Sequence, residues 1–306
     1  MGEAAIRVEG LRKSYGDNEA VRGIDFEVAA GEVFGFLGPN GAGKTTTIEI
    51  LEGYRPRTGG TVSVLGVDPG APTREWRNRV GLVLQECEMN PVLTVRETVT
   101  LFSSFFSSPR PVEETIELVG LGEKREARIA TLSGGQKRRV DVACGIIGDP
   151  DLVFLDEPTT GFDPSARRDA WTMIEGLKDL GKTVFLTTHY MDEAQHLADR
   201  VAILRGGELV AEGSTEELGT SLGQRTVVRF GLPNGVGARD LGARISAPLQ
   251  IAGREASFAT EQPQRDVYHL LGWAQDKGVE LAGLEVRRPS LEDIFLELTS
   301  EGEGGR

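Results

Sequence analysis

Gly38-Pro39-Asn40-Gly41-Ala42-Gly43-Lys44-Thr45 is the stretch that decides how the rest of the chain is read. It follows a short apolar run, Val33-Phe34-Gly35-Phe36-Leu37, and precedes a helical pattern from Thr46 to Glu52. A G-x-x-x-x-G-K-[ST] sequence placed between a strand and a helix has a physical purpose. Its glycines let successive backbone N–H groups converge on phosphate oxygens, and the helix N-terminus adds a positive dipole. Lys44 is placed to reach the β and γ phosphates of ATP, and Thr45 to offer its hydroxyl to Mg²⁺. Residues Gly38, Pro39, Asn40, Gly41, Ala42, Gly43, Lys44, Thr45 and Thr46 form the candidate phosphate cradle.

About a hundred residues on, a second apolar run, Leu152-Val153-Phe154-Leu155, ends in Asp156-Glu157-Pro158. A carboxylate at the end of a buried strand is costly unless it meets a cation or donors, and Mg²⁺ near Thr45 would satisfy Asp156. Glu157, one residue further, is then available to orient or deprotonate an attacking water as general base. Apolar runs alternate with helical patterns from Ile6 to about Glu217, which predicts an α/β domain with a largely parallel sheet and ligands at its strand ends. Between Cys87 and Ile147 strand signals give way to helical periodicity, broken by a turn at Ser107-Ser108-Pro109-Arg110-Pro111. That reads as an inserted helical subdomain over about 87–147.

From about Ser221 the pattern changes to candidate strands at Thr226–Phe230, Arg244–Ile251, Ala256–Ala259 and Val279–Val286. Two helices accompany them. One has an apolar face of Val267, Leu270, Leu271 and Ala274; the other has Leu291, Ile294, Phe295 and Leu298, with Ser290 as its N-cap. The expected division is a nucleotide-binding domain over 1–222, a small α+β domain over 223–300 and a frayed tail over 301–306.

Composition narrows the partners. In 306 residues, 39% hydrophobic and 26% charged, the formal net charge is -13, which disfavours nucleic acid and anionic lipid because such surfaces need clustered Lys and Arg. The two cysteines, Cys87 and Cys144, lack metal-ligand spacing and are expected to be reduced, as in a cytosol. No basic stretch leads into an apolar core at the N-terminus, and no apolar run approaches the ~20 residues that cross a bilayer. The expectation is a chain neither exported nor membrane-spanning.

Leu132-Ser133-Gly134-Gly135-Gln136 narrows the family. This is the signature of the ATP-binding-cassette (ABC) superfamily, which the chain resembles from Ile6 to about Glu217. The expected fold is therefore a P-loop NTPase cassette of ABC type with a helical subdomain, followed by the small α+β domain. The resemblance implies that Ser133, Gly134, Gly135 and Gln136 bind the γ-phosphate of ATP held by another subunit. A serine and two glycines at a helix start suit an anion. One set of motifs per chain then makes the active form a dimer, most simply a homodimer. The resemblance also implies that Tyr15 stacks on adenine, that Gln85 touches Mg²⁺ or the attacking water, and that Asp163 in Gly161-Phe162-Asp163-Pro164 crosses the dimer interface. Phe162 departs from the leucine more usual there. His189 matches the histidine that contacts the γ-phosphate; His196 and His269 match nothing.

Three further stretches resemble the ATP-binding subunits of daunorubicin/doxorubicin-type resistance exporters. They are Thr188-His189-Tyr190-Met191-Asp192-Glu193-Ala194, the Asp141-containing helix after the signature, and Pro289-Ser290-Leu291-Glu292-Asp293-Ile294-Phe295-Leu296-Glu297-Leu298. In that branch the ATPase pairs with a separately encoded integral membrane permease and sits on the inner face of the membrane. The helical subdomain after Gln85, including Pro91-Val92-Leu93-Thr94-Val95-Arg96-Glu97, is the expected docking region. The alternative is a soluble cassette ATPase acting on a non-membrane partner. Against it stand the single cassette, the acidic balance, and an interval of about ninety residues between phosphate loop and signature without sustained heptads. A non-hydrolysing scaffold would lack one of Lys44, Gln85, Glu157 or His189, and all four are present.

Overall fold

A computed structural model describes residues 4–83, 89–221, 226–232, 249–287 and 290–300. The chain divides into two compact units, Met1–Ser214 and Thr215–Arg306.

The first unit runs β1 (Ala4–Tyr15), β2 (Asn18–Ala29), β3 (Val33–Leu37), α1 (Lys44–Leu51), β4 (Gly59–Val64), α2 (Arg74–Asn78), β5 (Val80–Val83), α3 (Val95–Ser103), α4 (Val112–Leu118) and α5 (Gly134–Ile146). It continues with β6 (Leu152–Asp156), α6 (Pro164–Asp179), β7 (Thr183–Thr188), α7 (Met191–Leu197), β8 (Arg200–Arg205) and β9 (Glu208–Gly213). Its central sheet has the order β5-β6-β7-β3-β8-β9, parallel except for β9.

The central strands read as unbroken apolar runs because both faces are covered. Phe34, Phe36, Phe154 and Phe185 point to one side and meet Phe26, with Phe36 and Phe185 centroids 5.5 Å apart. Val33, Val153, Leu155, Val184 and Leu186 point to the other, where α5 and α6 supply Val140, Ala143 and Ile174. Each fully buried Phe or Leu contributes roughly 1.5–3 kcal/mol, so this double-sided core dominates stability. The sheet is thereby a rigid platform whose strand ends can hold side chains in place.

The largely parallel sheet expected from the sequence is present, but it does not include the first two strands or β4. Instead β2-β1-β4 form a separate antiparallel sheet covering α1 and the phenylalanine face. Alternation of buried and exposed residues in β1 is the mark of a strand with one wet face. The helical stretch between β5 and β6 opens on a reciprocal capping box, in which Thr94 Oγ1 accepts the Glu97 N–H at 3.1 Å and Glu97 accepts the Thr94 N–H at 2.8 Å. Val95, Val99 and Ile116 pack into the same core as α5.

The second unit comprises α8 (Thr215–Ser221), β10 (Thr226–Gly231), β11 (Gln250–Ala252), β12 (Glu255–Thr260), α9 (Pro263–Lys277), β13 (Ala282–Arg287) and α10 (Leu291–Ser300). Its antiparallel sheet, order β11-β12-β10-β13, packs Val228, Phe230, Ala256 and Phe258 against Leu270, Trp273 and Ala274. Three expectations change. The division falls after Ser214, not 222, because α8 lies beside α10 and buries Leu218. Leu271 is exposed, its place on the inner face of α9 being taken by Trp273. The last strand starts at Ala282, not Val279, and of Arg244–Ile251 only the end falls within the described residues. Ser290 does cap α10: its hydroxyl accepts the Asp293 N–H at 3.2 Å while Asp293 accepts the Ser290 N–H at 2.8 Å.

Candidate functional site

The strand β3 delivers the chain at Leu37 into a loop that only glycine could make. A Cβ on Gly38 would stand 2.4 Å from the carbonyl oxygen of Leu204, and Gly43, with φ of 108°, would place one 2.6 Å from that of Ala20. Gly43 is the N-cap of α1, and no side chain caps that end or adds an acid to its first turn. The first N–H groups of α1 therefore have no acceptor within the helix and favour an anion. Thr45 is exposed and Thr46 half-buried beside them.

Lys44 is 5% exposed and folds back over the loop, its Nζ donating to Gly38 O at 2.7 Å and Pro39 O at 3.3 Å. The same Nζ lies 3.8 Å from Glu157 Oε1. Burial lowers the Lys44 pKa, and the charges of Glu157 and then Asp156 oppose that shift. Asp156, at the end of β6, accepts a hydrogen bond from the Thr187 hydroxyl on β7. Burial nonetheless raises its pKa, and the Glu157 charge adds to the rise. Part of its charge is thus uncompensated, as suits a carboxylate whose counter-ion arrives with a ligand.

Glu157 adopts a left-handed backbone with φ of 43°, a conformation that costs a side-chain-bearing residue roughly 1–2 kcal/mol. Its N–H donates to both the carbonyl and the hydroxyl oxygen of Thr187, each at 3.1 Å. Thr160 Oγ1 donates to Glu157 Oε2 at 3.0 Å, and His189 Nδ1 lies 3.3 Å from Oε1, too oblique for a hydrogen bond. Glu157 Oε1 is consequently shared between Lys44 and His189.

The other predicted residues stand elsewhere. Ser133 caps α5 through a reciprocal box, accepting the Gln136 N–H at 3.3 Å while Gln136 Oε1 accepts the Ser133 N–H at 3.0 Å. Asp163 caps α6, its Oδ1 accepting the N–H groups of Ser165 and Ala166 at 2.9 Å each. Ser133, Gly134, Gly135, Gln136 and Asp163 line one open cleft with Gly161 and Phe162, and none of residues 38–45 borders it. Tyr15 ends β1 half-exposed, with Lys13 Nζ 5.0 Å and the Arg55 guanidinium 5.4 Å from its ring centre. Gln85 and Cys87 lie outside the described residues; Cys144 is buried in α5.

Sequence reasoning missed Arg138. This buried residue of α5 donates to Pro158 O at 3.2 Å and Asp156 O at 3.1 Å, tying the signature helix to the carboxylate turn. Its only sequence signal is a place on the inward face of that helix, between basic neighbours that point out. Glu52, just after α1, was also missed. It is 8% exposed and its pKa is pushed up to about 8, first by burial and then by the Asp156 and Glu49 charges. The fold therefore favours its neutral form. Stability from this group is full below the ordinary value of 4.5 and is lost as pH rises through about 8. Glu52→Gln, which stays neutral, should raise the melting temperature relative to wild type by several degrees at pH 8, a few kcal/mol at most, and hardly at pH 5. A difference equal at both pH values would refute the assignment.

A glycine loop and lysine at a helix start, facing strand-end carboxylates across a parallel sheet, define a P-loop nucleotide-binding domain. The ABC transporter family profile matches residues 21–160, and that of the C-terminal domain of ABC transporter domain-containing-like proteins matches 226–290. Nod factor export ATP-binding protein I of Rhizobium sp. (strain N33) is 40% identical over 98% of both chains. The daunorubicin/doxorubicin resistance ATP-binding protein DrrA of Streptomyces peucetius is 38% identical over 96% of this chain and 92% of its own. The linearmycin resistance ATP-binding protein LnrL of Bacillus subtilis (strain 168) is 33% identical over 96% and 98%. Among solved structures, a nucleotide-free ATP-binding cassette from an ABC transporter superposes with a TM-score of 0.65 at 24% identity, covering 72% of this chain and 95% of that one. The chain belongs to the ATP-binding subunits of the ABC transporter family, in the branch that includes these export and resistance proteins.

Proposed function

We propose that the chain hydrolyses ATP at a site shared between two copies, and that the resulting closure and opening drives export through a separately encoded integral membrane permease. The observation that carries this reading is the division of the phosphate-handling groups over two places on one chain. Lys44, Glu157 and His189 converge at one, while Ser133 and Asp163 line a cleft elsewhere. A second cassette, most simply a second copy of this chain, would bring a signature helix to the phosphate loop. A related fold, an ATP-binding cassette described as dimeric in a post-hydrolysis state with ADP and Pi, supports the geometry at a TM-score of 0.61 and 22% identity.

In this scheme residues 38–46 hold the phosphates and Tyr15 holds the adenine. Thr45 and Asp156 would hold Mg²⁺, joined by Gln85; oxygen donors and a desolvated carboxylate suit that hard cation. When bound, the ion neutralises phosphate charge. Glu157 takes a proton from the attacking water, Lys44 stabilises the phosphoryl oxygens, and His189 holds the γ-phosphate beside Glu157. Loss of that phosphate removes the contacts that bridge the two copies, so hydrolysis becomes opening.

An apolar groove in the first unit, lined by Tyr54, Trp76, Leu82, Phe102, Phe105 and Phe106 and not by the expected stretch 91–97, would receive a cytoplasmic helix of the permease. Phe105 and Tyr54 are each more than 60% exposed, a loss that docking would recover. Among the described residues no helix is long and apolar enough to cross a membrane. We place the chain in the cytoplasm, peripheral on the inner membrane face through its permease. The relatives are named for Nod factor, daunorubicin/doxorubicin and linearmycin at similar identity, so the motor does not encode the cargo, and drug or antibiotic efflux is one member of that range. Affinity purification from detergent-solubilised membranes is expected to recover a multi-span protein with the chain. Recovery with ribosomes or nucleic acid, and with no membrane subunit, would overturn the export reading.

A further inference from the structure

Glu157 is the only strand-end carboxylate of the site with a left-handed backbone, so something outside its own turn must hold it there. Two ties do so, both from the segment of chain that carries His189. At the first, Thr187 turns both its carbonyl and its hydroxyl on the carboxylate pair. Its carbonyl and hydroxyl oxygens both accept the Glu157 N–H at 3.1 Å, and its hydroxyl proton goes to Asp156 Oδ1. A valine of the same shape would leave the Glu157 N–H with the carbonyl alone and Asp156 without its donor.

At the second tie, two residues beyond Glu157, Thr159 is fully buried and its hydroxyl donates to Glu193 Oε1 at 2.7 Å. Glu193 is itself fully buried on α7, four residues after His189, where α6 also packs. Glu193 also interacts with Thr188, Trp171 and Arg167, so Thr159 is tied into a buried polar cluster that joins the catalytic turn to the segment after β7. Between these ties Thr160 donates to Glu157 Oε2, leaving Oε1 beside Lys44 and His189.

We propose that Thr187 and Glu193 are positioning residues for hydrolysis: they clamp the two ends of the strained 157–160 turn, and so set Glu157 Oε1 against His189 from one continuous segment of chain. The inference rests on the reading of Glu157 as general base. Displacement of a catalytic group by about 1 Å can cost on the order of a hundredfold in rate. Thr187→Val is therefore expected to lower kcat by about ten- to a hundredfold, with the KM for ATP and the affinity for a non-hydrolysable ATP analogue changed less than about threefold. Thr187→Ser, which restores the hydroxyl, should recover most of the rate. Thr159→Val breaks the other tie and should show the same split between kcat and KM.

The decisive measurement is a double-mutant cycle. In a Glu157→Gln background, Thr159→Val should cause little further loss because it acts through Glu157, and Thr187→Val should lose clearly less than it does in wild type, any remainder running through Asp156. Losses that multiply in that background, a Thr187→Ser no better than Thr187→Val, or wild-type kcat in both valine variants would each overturn the proposal. Should Thr187→Val not fold, the Thr159→Val arm of the cycle decides it. Wild-type turnover by Glu157→Gln alone would instead remove the general-base reading on which it rests.

Discussion

Glu157→Gln is expected to bind ATP as wild type does and to lose turnover by about 10²–10⁴, the range that a general base contributes. The amide keeps the size of the carboxylate and can still accept the Thr160 hydroxyl, so the turn should persist. It cannot take a proton from water. Neutralising the charge 3.8 Å from Lys44 also removes a competitor for that ammonium, which favours bound phosphate. ATP should then accumulate between two copies, and size-exclusion chromatography with ATP and Mg²⁺ should show a stable dimer that ADP does not produce. Turnover near the wild-type rate would show that water is activated by another group.

Ser133→Arg is expected to abolish hydrolysis, by more than about a hundredfold, while the isolated chain keeps its nucleotide affinity. Ser133 is exposed at the N-cap of α5, so a long cationic side chain there meets the cleft before the core and forfeits the cap, worth about 0.5–2 kcal/mol. The phosphate loop of the same chain lies outside that cleft. A mixing experiment makes the test sharper. Chains bearing Ser133→Arg and chains bearing Lys44→Ala should each be inactive alone. Mixed, they form heterodimers in which one site has an intact loop from the first chain and an intact signature from the second. Partial recovery of activity is the expected result. Failure to recover in a mixture shown to contain heterodimers, or loss of nucleotide binding by the Ser133→Arg monomer, would argue that each chain completes its own site.

Residues whose role follows from local backbone chemistry were readable in the sequence. The loop 38–45 needs glycines at fixed offsets whatever surrounds it, and Ser290 caps its helix, as expected, through bonds that span three residues; the caps made by Ser133 and Asp163 are as local but were not read as caps. One position on the inner face of α9 differs from the expectation, because spacing alone cannot choose between Leu271 and Trp273; only the sheet that covers the helix does. The antiparallel sheet was missed for a similar reason, since strand pairing is set by partners far away in sequence.

The candidate chemistry is legible along the chain: a phosphate loop, a strand ending in two carboxylates, a signature at a helix start and a histidine closing a strand. Each is written in contiguous residues because backbone geometry within a few residues makes it work. How those pieces act on one another depends on packing between segments far apart in the chain. Parallel pairing of β6 with β7 brings Thr187 beside Asp156 and Glu157, about thirty residues away in sequence, and turns an unremarkable strand threonine into a support for both. Burial did the rest, since desolvation moves Asp156, Glu52 and Lys44 away from their ordinary ionisation, and desolvation depends on what the whole fold packs around a side chain.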